Sequence, residues 1–298
     1  MTDSATNDGT PAGARAGMLA GLRVLELDGP FTGTCARLLA SMGAEVLKVV
    51  SPERPRPALL DDLGKRCSAL DLDRPEDRAA FERLAGDADV LLESAAPGWL
   101  AQRGLDHVSL AARNPRLLHG TITAFGSSGP YAGFRGSELV ASAMGGVLRA
   151  VGYEDRAPVK EALDACVFHA AAVAGAALMI AYYERETSGR GQHVDVSVQE
   201  VAASRGTNGL LLWQFDQRKV ARSGNALRYG RATVRCVWEL ADGYVFHSLM
   251  SGQFGAPANR ALSQFIDDCG FDNPLHEVDW SRYDRSSLPS DMRARWEA

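Results

Sequence analysis

The sequence lacks most of the patterns that fix a function at sight. Its five cysteines, Cys35, Cys67, Cys166, Cys236 and Cys269, are odd in number and widely spaced, and no CxxC occurs. This argues against a disulfide framework and against a zinc site, and a reducing cytoplasm is the expected compartment. There is no Lys/Arg tract or basic stripe, and the net charge is −5, so nucleic acid is not an expected partner. Neither GxGxxG nor a Walker A sequence follows the first strand-like segment. "GPFTGT" at 29–34 is glycine-rich but matches neither, which leaves nicotinamide and P-loop chemistry unsupported. The opening "MTDSATNDGTPAGARAG" has no apolar core of the signal-peptide kind and reads as part of a disordered tail over 1–18. The one long apolar run, 165–183, nears membrane-spanning length, but it is Ala-rich, holds His169 and has no flanking anchors. It reads as a buried core helix, and no membrane association is expected.

What is present is alternation. Strand-like segments at 22–28, 45–50, 67–72, 89–94, 116–125 and 193–198 are separated by helix-like segments at 33–44, 75–87, 138–152 and 165–187, and 199–215 closes the series. Strands alternating with helices predict an α/β domain, a doubly wound, mostly parallel sheet with right-handed crossovers. Ligands of such sheets sit at the carboxyl ends of the strands. After Gln217 the composition shifts to β-prone aromatic segments around "ADG" and then to helical and loop segments. A Rossmann-like domain over 19–216 and a smaller α+β domain over 217–298 are therefore expected. The 46% hydrophobic content suits that division.

Several stretches carry a resemblance when taken in order: "LAGLRVLELDGPFTG" (19–33), "LLASMGAEVLKVV" (38–50), "GKRCSALDLDRPEDRAAFERLAGDADVLLES" (64–94), "PGWLAQRGLDHVSLAARNPRLLHGTITAFGSSGPY" (97–131), "GSELVASAMGGVL" (136–148) and "ERETSGRGQHVDVSVQE" (184–200). Together they resemble the class III CoA-transferase family, which includes formyl-CoA transferase, carnitine CoA-transferase and α-methylacyl-CoA racemase. The resemblance implies a Rossmann-like CoA-binding domain, a smaller second domain and an interlaced dimer. It also implies a chemistry: an enzyme carboxylate attacks an acyl-CoA thioester, and CoA then returns to give an enzyme thioester. The resemblance further implies CoA or acyl-CoA and a carboxylic acid as substrates, with no metal. Backbone N–H groups beside glycine-rich turns such as "FGSSGPY", which contains Phe125 and Gly126, would stabilise the oxyanion.

The sequence departs from the family at the reactive position. Counted back from "SGRGQ" (188–192), the family's Asp falls on Val167, or on Cys166 if the spacing differs by one. Asp164 lies about one helical turn earlier and is the candidate nucleophile; a helix N-cap is its other reading. Cys166, near a helix N-terminus, is a lesser candidate, and His169 reads as a core or interface residue. Ser137 stands where racemase relatives carry a general-base His, which argues against racemisation. The CoA-contacting Asn-Phe-Arg-Pro-Gly turn is "SAAPG" here, keeping Pro97 and Gly98. Lys48, Arg54, Lys65, Arg66 and Arg103 are candidate partners for CoA phosphates, with Arg56 close to Arg54. Family chains continue past "VDWSRYD" and return to the first domain, so a homodimer or a heterodimer with a longer homologue is expected. Three functions fit. The first is an acyl-CoA:carboxylate CoA-transferase. The second is a non-catalytic or regulatory subunit of a full-length transferase. The third is a repurposed isomerase or dehydratase with Glu161 or Asp164 as general base.

Overall fold

The computed structural model describes residues 17–53, 60–229, 232–273 and 275–284. The described residues fall into two compact units. One runs to Leu148 and resumes over Lys160–Lys219; the other holds Arg149–Val159 and the residues from Val220 onward.

The first unit is built on six strands: β1 (Arg23–Leu27), β2 (Glu45–Val50), β3 (Lys65–Ala69), β4 (Val90–Glu93), β5 (Leu118–Thr123) and β6 (His193–Ser197). They are all parallel, in the order β3-β2-β1-β4-β5-β6. This is the expected doubly wound sheet. The chain winds outward in opposite directions from β1 and β4, so a crevice opens between the loops that follow these two strands.

Side chains alternate across the strands. Leu25, Val49 and Leu91 join Phe81, Leu105, Leu110 and Leu117 in a core beneath α2 (Pro75–Gly86) and α3 (His107–Arg113). α1 (Gly33–Ser41) and α6 (Ala165–Ser188) pack on each other, and α6 also packs on β5 and β6. Gly120 of β5 meets Leu178 of α6 so closely that a Cβ there would stand 3.3 Å from it. α6 is the long apolar run. It is long and apolar enough to cross a membrane, but it buries Cys166, Ala170, Ala174, Leu178, Ala181 and Arg185 against its own unit, as the core-helix reading expects. Arg185, 2% exposed, ties its last turn to the Asp89 carboxylate at 3.0 Å and the Arg116 carbonyl at 3.0 Å.

Local chemistry explains the helix ends. α2 starts at Pro75 with Glu76 and Asp77 in its first turn, which suits the positive end of the helix dipole. The helix-like run 138–152 divides into α4 (Glu138–Met144) and α5 (Val147–Ala150) because Gly146 takes φ +84° between them. The run 199–215 likewise divides at Gly206 into α7 (Val198–Arg205) and α8 (Thr207–Asp216). α3 is absent from the sequence reading. At seven residues it is too short to show a periodic face, although Asp106 caps it by accepting from the Ser109 N–H at 3.1 Å.

In the second unit β7 (Ala226–Tyr229) pairs antiparallel with β8 (Ala232–Arg235), and β9 (Val237–Leu240) with β10 (Gly243–Phe246) around the Ala241–Asp242 turn. α9 (Gly252–Asp268) and the residues after it enclose a small core of Leu249, Ala256, Leu275, Trp280 and Tyr283.

Candidate active site

The crevice at the sheet's switch point is a cavity of about 370 Å³. Asp28–Pro30 after β1, Leu70–Asp73 after β3 and Ser94–Ala96 after β4 form its walls, and Trp99 closes one side. Gly29 lets the β1 and β4 turns meet, since a Cβ there would lie 2.1 Å from the Ser94 hydroxyl oxygen. That buried hydroxyl has no hydrogen-bond partner among the described residues. The guanidinium carbon of Arg103 stands over the Trp99 ring, 3.8 Å from its centroid, and its Nε donates to Asp73 at 3.1 Å. The guanidinium thus braces the aromatic wall.

Lys48 and Lys65 take a different place from that of phosphate ligands on an open surface. Glu26 of β1 is fully buried, with the Lys65 ammonium 2.6 Å away and the Lys48 ammonium at 3.6 Å. Lys65 also donates to the Gly33 carbonyl at 2.9 Å, and Lys48 reaches Asp28 at 2.8 Å and Asp62 at 3.1 Å. Burial raises the Glu26 pKa in spite of both lysines. Burial pulls Lys48 down, but its bonds to Asp28 and Asp62 and the Glu26 charge outweigh it, and the net shift is upward. Burial, reinforced by the Glu26 charge, pushes the Cys35 thiol up to about 12. The network pins the β1–α1 turn that forms the crevice floor. Arg66 lies at the other end of the sheet, on the amino end of β3, with its side chain 76% exposed and 3.8 Å from Glu45. Arg54 and Arg56 fall outside the described residues.

Pro97 and Gly98 continue the turn after β4 and line a second cavity of about 300 Å³, which shares Ala95 and Ala96 with the first. Its floor holds three imidazoles, His107, His119 and His193, with ring centroids 5.2–5.8 Å apart. The Thr121 hydroxyl donates to Glu93 at 2.6 Å, so His193 Nε2, 2.9 Å from the same oxygen, is the donor to it. Burial and the neighbouring imidazoles lower the pKa values of His107 and His193. His119 is 2% exposed, and neither of its ring nitrogens has a hydrogen-bond partner among the described residues. No group of three or more His, Cys, Asp or Glu among the described residues is placed to hold a metal ion. Sequence reasoning passed over this trio because its members come from three separate elements; only the pairing of β5 with β6 sets His119 beside His193.

The third region is the entry of α6. Asp164 occupies the N-cap position, but its side chain makes no cap bond. It is 63% exposed and pairs with Lys160 at 3.1 Å. The cap comes from another element. Glu138, the first residue of α4, accepts the Cys166 N–H at 3.0 Å on one carboxylate oxygen and the Val167 N–H at 3.1 Å on the other. Cys166 is fully buried, and burial together with the Glu138 charge raises its pKa, so the thiol form prevails. Arg205 of α7 clasps Glu161 at 2.8 and 3.1 Å and points one nitrogen at the Cys166 sulfur, 3.6 Å away. His169 is exposed, with Nδ1 2.6 Å from the Ala165 carbonyl oxygen. Ser137 caps α4 by accepting the Val140 N–H at 3.4 Å. Phe125 is buried at the end of β5, and Gly126 follows at φ +85°. Asp195 of β6 fixes that turn, accepting from the Ser127 N–H and hydroxyl, each at 2.9 Å. Glu138 was missed because only the residue at the helix start, Asp164, was weighed as its cap. The acidic first position of "SELVASAM" was the available signal.

A doubly wound parallel sheet with a crevice at its switch point defines a class of α/β proteins whose ligands sit at the carboxyl ends of the strands. The chain matches CoA-transferase family III over residues 19–268 and belongs to that family. It is 32% identical over 241 residues to the succinyl-CoA:(R)-benzylsuccinate CoA-transferase subunit BbsE of Thauera aromatica, a match covering 75% of this chain and 58% of the relative. It is also 32% identical to the succinate–glutarate CoA-transferase of Agrobacterium fabrum, covering 70% of this chain and 58% of that protein. Among solved structures, a CAIB/BAIF family protein from Brucella suis superposes with a TM-score of 0.76 at 26% identity, covering 95% of this chain and 76% of that one. The chain thus spans about 58% of the length of these two curated relatives.

Proposed function

We propose that this protein is an acyl-CoA:carboxylate CoA-transferase, with CoA or an acyl-CoA as one substrate, a carboxylic acid as the other, and no metal. The observation that carries the reading is the switch-point cavity walled by Trp99. It sits where this fold binds nucleotides, and its aromatic wall is held rigid by Arg103 and Asp73. The adenine of CoA stacks on Trp99, and the turn after β4, with Pro97 and Gly98, follows the nucleotide. Of the cations assigned to phosphates from the sequence, Arg66 is left out of this reading, because it sits at the amino end of β3. The relatives named above act with succinyl-CoA or succinate, so succinyl-CoA is the first donor to test. A subunit without chemistry and a repurposed isomerase or dehydratase are not favoured, because the curated relatives are named as transferases.

Trp99→Ala is expected to weaken CoA binding about tenfold or more, given the usual worth of stacking a base on an aromatic ring. Calorimetric titration of CoA into wild type and variant measures it. Equal affinity in the two would remove the nucleotide from this cavity.

We further place the protein in the cytoplasm as a homodimer or as a heterodimer with a longer homologue. The exposed face of α6 supports an interface: Val173, Ile180 and Tyr183, at helical spacing, are 45%, 72% and 80% exposed, and clustered exposed apolar side chains mark interaction surfaces.

A further inference from the structure

Buried polar atoms in a folded chain almost always have a hydrogen-bond partner, and those that do not call for a physical reason. Four unpartnered atoms line one space, the cavity of about 300 Å³ beside the turn after β4. They are His107 Nδ1, both ring nitrogens of His119 and the Thr123 hydroxyl oxygen, none with a partner among the described residues. His119 and Thr123 are 2% and 7% exposed. The third imidazole, His193, stands 5.2 Å from the His119 ring and 5.4 Å from that of His107. The same cavity is also lined by the apolar side chains of Leu100, Ala101 and Val108.

The charges around the cavity select the ligand. Its carboxylates are already committed. Glu93 of β4 takes the Thr121 hydroxyl at 2.6 Å on one oxygen and the Ala95 N–H at 2.5 Å on the other. Asp106, the cap of α3, takes the N–H and hydroxyl of Ser109, and Asp195 of β6 takes those of Ser127. A cation therefore meets no carboxylate oxygen without a donor. The uncommitted groups are imidazole nitrogens, which become donors on taking up a proton, and one hydroxyl. Burial first, and then the neighbouring imidazoles, hold His107 and His193 below the usual histidine range, so both rings are neutral at pH 7. An anion among the rings supplies the missing counter-charge, and protonation then turns idle nitrogens into donors toward it. Glu93, 3.7 Å from His119 Nε2, favours the same protonation. The apolar lining suits a hydrocarbon stem and has no donors for the further oxygens of a phosphate.

We propose that this cavity is a binding site for a small organic carboxylate, which enters with uptake of a proton by the histidine cluster. The site shares Ala95 and Ala96 with the nucleotide crevice but none of the four unpartnered atoms, and it does not depend on the transferase reading. Because the proton binds with the acid, affinity rises as pH falls. One proton taken up is worth about tenfold per pH unit, between the lowered range of the free rings and the raised range of the occupied ones.

The test is calorimetric titration of butyrate and of succinate into the full chain at pH 6, 7 and 8 and constant ionic strength, with inorganic phosphate as the control anion. NMR of the ¹⁵N-histidine-labelled protein follows the same additions. The proposal predicts binding of at least one acid, about tenfold weaker per pH unit upward, with phosphate inert and saturating CoA without effect. Imidazolium signals appear from the cavity rings, while those of the exposed His169 and His276 stay in place. His119→Phe and the gentler Thr123→Val, which keeps the side-chain shape, each weaken binding about fivefold or more. No binding of either acid, the result for a cavity that holds only water, overturns the proposal. So do equal affinity at pH 6 and pH 8, equal binding of phosphate, displacement by CoA, or wild-type affinity in Thr123→Val or in a folded His119→Phe.

Discussion

Lys65→Met lowers the unfolding free energy by about 3–5 kcal/mol, the usual result of removing one partner of a buried ion pair. The reason is the site left behind. Glu26 is fully buried with Lys65 2.6 Å away, whereas Lys48 is at 3.6 Å and already faces Asp28 and Asp62. Methionine fills the space but gives nothing to the Glu26 charge or to the Gly33 carbonyl. The loss depends on pH. The Glu26 pKa is already raised in the folded state by burial, so the folded protein holds this proton to higher pH than the unfolded chain does. Its contribution to stability therefore falls as pH rises from the ordinary glutamate range through the raised value. Without Lys65 that value moves further up, so the variant's deficit is larger at pH 8 than at pH 5. Glu26→Gln in the same chain removes the stranded charge and recovers much of the loss. Urea unfolding at the two pH values measures all of this. A loss that is the same at pH 5 and pH 8 would contradict the assignment of Glu26 as the stranded charge.

Gly136→Val has the next largest effect, and it acts on function. A Cβ at Gly136 would stand 2.0 Å from the Ala124 Cβ and 3.2 Å from the Phe125 ring. Something must move, and the nearest neighbours belong to the Ala124–Gly126 turn, while Glu138, which holds the first turn of α6, is two positions on. Overpacking of this kind costs about 1–3 kcal/mol. A displacement of about 1 Å near a reacting group costs up to about a hundredfold in rate. On the transferase reading, exchange activity is expected to fall about 10- to 100-fold while CoA binding at Trp99 is retained. Steady-state exchange rates with CoA titrations on the same samples separate the two. A proportional loss of both would mean that the variant unfolds the sheet instead of moving α4.

The contrast between sheet and site shows what the sequence carries. Period and punctuation placed all six strands and the long helix, since "LRVLELD" and "EVLKVV" are buried apolar runs between turn residues and α6 is apolar throughout. The divided helices were hidden for a physical reason. Gly145–Gly146 and Gly206 lie inside apolar stretches whose pattern continues across them, and only the backbone at Gly146, φ +84°, shows the break. The turns after β4 and β5, with Pro97–Gly98 and Phe125–Gly126, were legible as turns because they follow strands. Contacts that residues make across the fold were illegible. Nothing in the spacing of Lys48 and Lys65 reveals a shared carboxylate at Glu26, which strand pairing supplies. Nothing in "DACVF" shows that Asp164 turns outward and that a glutamate 28 positions from Cys166 takes the helix end.

The most direct measurement of the central claim is isotope exchange. The purified full chain is incubated with unlabelled succinyl-CoA and ¹³C-labelled succinate, with acetyl-CoA and labelled acetate in parallel, and the thioesters are followed by mass spectrometry. The account predicts label entering the acyl-CoA at a rate set by the enzyme, with no build-up of free CoA. Thioester hydrolysis without exchange, or no turnover of either donor, would contradict it.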